Sequence, residues 1–316
     1  MRPMKRGLLI VGAALLIALT AAAAFVLTHE PARRSVTDLK IEATPERLER
    51  GAYLVQNVSG CLHCHTAHDE AKRSHPKTGP LAGGGTCLTE EIGFPGYVCV
   101  PNISQDPETG IGAWTDDEIL RAIREGVSRD GRALFPMMPY SVYKDMSDED
   151  AYSVVAYLRT LEPVRREKPH VTKINFPVDF FIEMEPAPIE APIPTPDRGD
   201  QLEWGRYMAT IAGCRECHME GKGGMEFETP SGVVRSSNIT THATGVLPPT
   251  AEGFVRLFRS YVDGSVADGH SETDFTVMHW EDLAGMSEDD LRAIHAYLLS
   301  VEPADNQVQT YGDGGA

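Results

Sequence analysis

Four of the six cysteines in this 316-residue chain fall into two five-residue strings, Cys61-Leu62-His63-Cys64-His65 and Cys214-Arg215-Glu216-Cys217-His218. Both read C-x-x-C-H. On one helical turn that spacing presents two thiols to the two vinyl groups of a single haem, and the adjacent imidazole can ligate its iron. Two covalently attached haem c groups are expected, one through Cys61 and Cys64 and one through Cys214 and Cys217, with His65 and His218 on the irons. A redox dithiol would sit in a βαβ pattern, which the sequence lacks. A four-thiolate zinc site shared by the strings would leave both trailing histidines without a role.

An internal repeat selects the sixth iron ligand. Residues 146–163 read MSDEDAYSVVAYLRTLEP and residues 286–303 read MSEDDLRAIHAYLLSVEP. Both begin with Met-Ser and acidic residues, carry apolar residues at helical spacing and stop at Glu-Pro. At this offset Met138 pairs with Met278, while Met137 pairs with Val277, which cannot ligate. Met138 and Met278 are therefore the expected distal ligands. A thioether opposite histidine favours ferrous iron and leaves no site for a substrate. Core filling is the commoner use of methionine. His279 is a rival ligand beside Met278, and otherwise reads as a partly exposed surface residue.

The elements that position these groups form two copies of one helical unit. Gly51-Ala52-Tyr53-Leu54 answers Gly205-Arg206-Tyr207-Met208, and Asn102-Ile103-Ser104 answers Asn238-Ile239-Thr240. Such a repeat is domain-sized, so it predicts two similar domains and not a solenoid. Thr44, ahead of Pro45, and Asp200 are candidate N-caps for the opening helices. No long strand run appears, so the expected class is mainly α with long loops. Residues 44–165 and 198–304 make the two domains. Residues 166–197 are a Pro-rich linker, extended from Pro186 to Pro196. Residues 305–316 read as a loose tail.

In these motifs the chain resembles the dihaem and trihaem cytochromes c that serve as electron-transfer subunits of membrane-bound periplasmic dehydrogenases for alcohols, aldehydes and gluconate. The resemblance covers about residues 44–304. It rests on CLHCH, PNISQDPETGIGAWTDDEI at 101–119, LFPMMPY at 134–140 and AYLRTLEP, with CRECH, SNIT and AYLLSVEP in the second copy. It implies two tandem class I cytochrome c domains, with His65/Met138 and His218/Met278 on the irons. It also implies a carrier of single electrons between a partner dehydrogenase and a quinone site, an oxidase or a soluble cytochrome. The second copy departs from the family: LFPMMPY becomes DFTVMHW, so His279 stands where the first copy has Pro139. A dihaem enzyme of peroxidase or thiosulfate-oxidising type, with one open haem, is the alternative.

The first 34 residues set the compartment. Arg2, Lys5 and Arg6 precede an uncharged apolar run from Gly7 to Leu27. The run is long enough to cross a bilayer, with the basic end inside. The small residues Ala21 to Ala24 would also suit cleavage of a signal peptide. Either way the remainder is exported, which places it on the periplasmic side of the inner membrane. The chain carries 29 Lys and Arg against 46 Asp and Glu, a net −17. That acidity argues against nucleic-acid binding and points to basic patches on redox partners.

Among the remaining features, Cys87 and Cys99 should pair as a disulfide in an exported protein. A thiolate iron ligand or a free pair are the other readings. Asn102 and Asn238 either bond haem propionates or cap their loops. Trp114, Tyr140 and Trp280 are expected to pack on haem. His63, His68, His75, His242 and His295 read as surface or neighbouring groups. The acidic clusters at Asp116–Glu118 and Asp148–Asp150 read as helix N-terminal charges.

Overall fold

The computed structural model describes residues 3–69, 77–166, 172–229, 232–262 and 277–312. His75 and the last four residues, which the sequence reading covers, lie outside them. The chain opens with α1 (Pro3–Thr28), whose stretch Ile10–Thr28 is long and apolar enough to cross a membrane and is not buried. An extended segment then runs back onto the protein body. Arg34 donates to both carboxylate oxygens of Asp117 at 2.6 and 2.8 Å and to Glu125 at 2.7 Å. Asp116 accepts from the Ile41 amide and from Arg159. These carboxylates therefore tie segments together as well as favouring a helix N-terminus. Burial pushes the Asp117 carboxyl up, but the Arg34 and Thr37 hydrogen bonds outweigh it and leave the group below its ordinary range.

The first helical unit pairs α2 (Pro45–Tyr53) with its C-terminal helix; the predicted cap Thr44 holds, and the Met-Ser start of the second helix supplies a cap as well. Thr44 accepts from the Arg47 amide, and Ser147 accepts from the Asp150 amide. Between the two motif cysteines lies α3 (Cys61–Cys64). The hairpin of β1 (Cys87–Leu88) and β2 (Gly96–Cys99) follows, then α4 (Asp116–Glu125), α5 (Tyr140–Tyr143) and α6 (Asp148–Leu158). Helix α4 starts in a capping box, with Thr115 accepting from the Glu118 amide and Glu118 accepting from the Thr115 amide. Gly51 sits where α2 crosses α6, so close to the Ser153 carbonyl that no Cβ would fit.

The same arrangement recurs. Helix α8 (Gln201–Ile211), capped by Asp200, leads to α9 (Cys214–Cys217), and then come β4 (Glu226–Thr229), β5 (Gly232–Arg235), α10 (Ala251–Arg259), α11 (Trp280–Leu283) and α12 (Glu288–Ser300). Gly205 approaches the Ala293 carbonyl of α12 as Gly51 approaches that of Ser153. Leu54, Met146, Val155, Met208, Ile211 and Leu291 are among the fully buried side chains. They belong to one continuous apolar core.

Among the described residues, the segment between the units is extended from Pro186 to Pro196 as its composition predicts, but its first part and the C-terminal tail add short elements. Strand β3 (Lys173–Ile174) pairs with β2, and α7 (Val178–Glu183) follows it. Further on, the Asp148 amide donates to the Ile193 carbonyl at 2.9 Å, so the Pro-rich stretch lies along the first unit. In the tail, β6 (Tyr311–Gly312) adds to β5, and the Arg235 amide donates to the Thr310 carbonyl. Two small antiparallel sheets, β1-β2-β3 and β4-β5-β6, thus accompany the helices. Their strands are too short to leave an alternating signature in the sequence.

Candidate functional site

Each C-x-x-C-H string forms a single helical turn entered through a left-handed glycine. Gly60 has φ 56° before α3 and Gly213 has φ 74° before α9. A left-handed residue lets the long entering helix stop and a new turn begin at once. Cys61 and Cys64 are thus one turn apart, as are Cys214 and Cys217, and none of the four is in a disulfide. Burial pushes the Cys61 and Cys214 thiols up to about 12, with their partner cysteines adding to the rise.

The two histidines are held in the same way. His65, which is buried, donates from Nδ1 to the Pro101 carbonyl at 2.8 Å, and His218 donates from Nδ1 to the Ser237 carbonyl at 2.8 Å. Since a carbonyl can only accept, both rings carry their proton on Nδ1 and present an Nε2 lone pair for a metal. Burial lowers the pKa of both imidazoles, which keeps them neutral as ligands must be. The carbonyls that fix the rings come one residue before Asn102 and Asn238, the Asn of each repeat. Those asparagines are buried and serve their loops. Asn102 donates to Thr109 and the Val164 carbonyl, and Asn238 donates to Thr244 and the Ala304 carbonyl. Loop capping, not a propionate contact, accounts for their side-chain amides.

Met138 and Met278 sit in matching turns just before α5 and α11. The Tyr140 amide donates to the Met138 carbonyl at 2.7 Å and the Trp280 amide to that of Met278 at 2.9 Å. Both methionines are partly buried against the apolar core, as are Cys61 and Cys214, whereas Met137 and Val277 are exposed. Trp114 and Trp280 border the same core. Trp280 stacks on Tyr261 at 4.4 Å, and the Tyr140 hydroxyl donates to Glu185. The donor set of two thiols, one fixed imidazole and one thioether, twice over, fits a c-type haem. Cys87 and Cys99 form a disulfide directly across β1 and β2, which removes them as iron ligands.

Two histidines are placed differently from their expectation. His295 is buried in α12 and bonds the Pro248 carbonyl through Nε2 at 2.8 Å, so it is a core group. His279 is wedged between the units: its Nε2 lies against Gly60 and is buried without a hydrogen-bond partner, and its ring is 5.5 Å from that of His63. Burial, with His63 adding to it, lowers the His279 pKa to about 4, so the ring is neutral. Asp282, on α11, lies 3.5 Å from His63 Nδ1 and 2.6 Å from Lys77 Nζ. This junction links the turn after Met278 to the first C-x-x-C-H motif. Sequence reasoning missed it; the one signal was the His279 departure from Pro139.

Comparison with known proteins identifies the family. The family model described as Cytochrome c matches residues 48–162. The chain is 30% identical to a diheme cytochrome c-type protein of Cereibacter sphaeroides over 264 residues, 77% of this chain and 82% of that one. It is 27% identical over 290 residues to the cytochrome c subunit of alcohol dehydrogenase (quinone) from Gluconobacter oxydans, covering 82% of this chain and 56% of that protein. The fructose dehydrogenase cytochrome subunit of Gluconobacter japonicus is 31% identical over 179 residues, 54% of this chain and 34% of that protein. The chain thus spans about half the length of the alcohol dehydrogenase relative and about a third of the fructose dehydrogenase relative. A relative matched over four-fifths of its length, and a family model lying on the first carbonyl-fixed histidine and its two thiols, place this chain in the cytochrome c family of electron-transfer proteins with covalently bound haem c.

Proposed function

We propose that this chain is a dihaem cytochrome c of two tandem class I domains, residues 44–165 and 198–304, joined by residues 166–197 and followed by a tail at 305–316. One observation carries the reading: a C-x-x-C-H turn ending in a histidine with a carbonyl-bonded Nδ1 occurs twice, at His65 and at His218. When bound, each haem supplies a one-electron couple at its iron. Cys61 and Cys64 hold one group covalently, and Cys214 and Cys217 the other. His65 and His218 are the proximal ligands, oriented by the Pro101 and Ser237 carbonyls. Met138 and Met278 complete the coordination and close both irons to substrates. The chain is therefore a carrier and not itself a catalyst.

Its relatives' names support a dehydrogenase as donor. The acceptor is a quinone site, an oxidase or a soluble cytochrome. The chain works on the periplasmic face of the inner membrane, anchored by the apolar run 7–27. Its acidic body recognises basic docking patches. The test is mass spectrometry and optical spectroscopy of the purified protein. Two haem masses per chain and a Met–iron charge-transfer band that halves in Met138→Ala and again in Met278→Ala are expected. A high-spin iron in the unaltered protein, with peroxide turnover, would replace the carrier by the dihaem enzyme.

A further inference from the structure

A group of exposed apolar side chains lies where α1 leaves its apolar stretch. The Phe25 ring, in the last turn of α1, meets the Phe180 ring of α7 edge-on at 6.0 Å, and His29 meets the same ring at 5.8 Å. Phe181 follows at 5.8 Å from Phe180. Around this contact Phe176 is 69% exposed, Phe181 60% and Met184 53%. Ile182 alone turns inward, and both ends of the segment are fixed to the first unit. The Asn175 amide donates to the Pro95 carbonyl and Glu185 accepts from Tyr140. The segment therefore carries large apolar residues that the protein body does not use.

The depth of this group is set by α1. The 19 residues Ile10–Thr28 rise ~28 Å at ~1.5 Å per residue, close to the ~30 Å of a hydrocarbon core. Phe25 is three residues short of the exit end, and charge resumes at Glu30 and Arg33. Phe180, packed on Phe25, is thus level with the boundary between hydrocarbon and headgroups. The clasp of Arg34 on Asp117 and Glu125 ties the exit of α1 to α4, so the body cannot swing α7 away from that level.

We propose that Phe176, Phe181 and Met184 form a second membrane contact, inserted at the headgroup boundary beside α1. This contact sets how the first unit is oriented on the bilayer. It rests on the reading of α1 as an uncleaved anchor. Asp179 and Glu183 in α7 disfavour anionic headgroups, so the surface recognised is a zwitterionic one. Insertion of aromatic and thioether side chains at this level follows from their transfer out of water.

The experiment uses the full haem-loaded chain in phosphatidylcholine nanodiscs doped with a lipid that carries a diazirine high on its acyl chain. After photolysis, peptides are mapped by mass spectrometry. Label is expected on α1 and on the peptide containing Phe176 to Met184. In F176S/F181S/M184S, label on that peptide falls several-fold while label on α1 is unchanged; the replaced side chains are exposed, and circular dichroism checks the fold. Label on α1 alone would overturn the proposal and leave this face to a partner subunit. Label on neither segment would overturn it by removing the anchor itself, a distinguishable failure.

Discussion

Gly60 and Gly213 hold the same left-handed backbone ahead of the two C-x-x-C turns, yet they have different neighbours. A Cβ on Gly213 would meet nothing within 4 Å, whereas one on Gly60 would lie 3.0 Å from His279 Nε2. Gly213→Ala should cost the left-handed strain alone, about 1 kcal/mol. Gly60→Ala should cost that and about 1 kcal/mol more for crowding a packed ring. The excess should vanish when both variants are remade in a His279→Ala background, a cycle read from urea midpoints. Equal costs in the parent would show that His279 does not press on this turn. The contrast marks the limit of what was legible residue by residue. The thiols and His65 declare themselves because covalent attachment confines them to five consecutive positions. The Pro101 and Ser237 carbonyls that orient the histidines were invisible, because a backbone oxygen has no sequence signature. His279 stood out only as a departure from Pro139, since its neighbours Gly60 and His63 are far away in the chain.

The two units differ at the element level in ways that the repeat only hinted at. One residue fewer separates Gly205 from Cys214 than Gly51 from Cys61. The structure accommodates the extra residue as a π-helical turn at Leu54–Val58, while α8 stays regular. The hairpins before the two asparagines differ in chemistry. Cys87 faces Cys99 across β1 and β2 as a disulfide, and Glu226 faces Arg235 across β4 and β5 as an ion pair at 2.7 Å. A covalent link of this short loop should contribute about 3 kcal/mol. An exposed pair such as Glu226–Arg235 should contribute about 0.5 kcal/mol. Cys87→Ser/Cys99→Ser should therefore lower the melting temperature markedly, and Arg235→Ala only slightly. A comparable loss from both would mean that the bridge constrains nothing the strands do not already fix. Helices were legible through caps such as Thr44 and Asp200 and through the acidic start at Asp116–Glu118, since capping is local. The strands were not, because β3 and β6 are two residues long and exist only through pairing with distant partners. For the same reason the tail, read as loose, is tied at Thr310 and Asn306.

At the scale of the whole molecule, the two units meet through a reciprocal clasp. The Tyr53 hydroxyl donates to Asp290 at 2.6 Å and accepts from the Ser287 amide at 2.9 Å. The Tyr207 hydroxyl donates to Asp150 at 2.6 Å and accepts from the Ser147 amide at 3.1 Å. Tyr53 and Tyr207 are equivalent in the repeat, as are Asp150 and Asp290, so each unit offers the other the same patch. This is the isologous pattern of a two-fold dimer, here within one chain. Within each unit a second donor completes the carboxylate: Arg50 for Asp150, Trp204 Nε1 for Asp290. Both carboxylates are buried, so losing either tyrosine hydroxyl should cost about 1.5–3 kcal/mol. The clasp holds the two units at a constant separation. The Pro-rich segment, bound along the first unit at Ile193 and Thr195, is not a swinging arm. The unaltered protein should accordingly melt in one calorimetric transition, with calorimetric and van't Hoff enthalpies in agreement. Tyr53→Phe/Tyr207→Phe keeps both rings and removes both hydroxyls, so it should split that transition into two, one for each unit. A single unshifted transition in the double variant would mean that the apolar core alone couples the units. Two transitions in the unaltered protein would mean that they are not coupled at all.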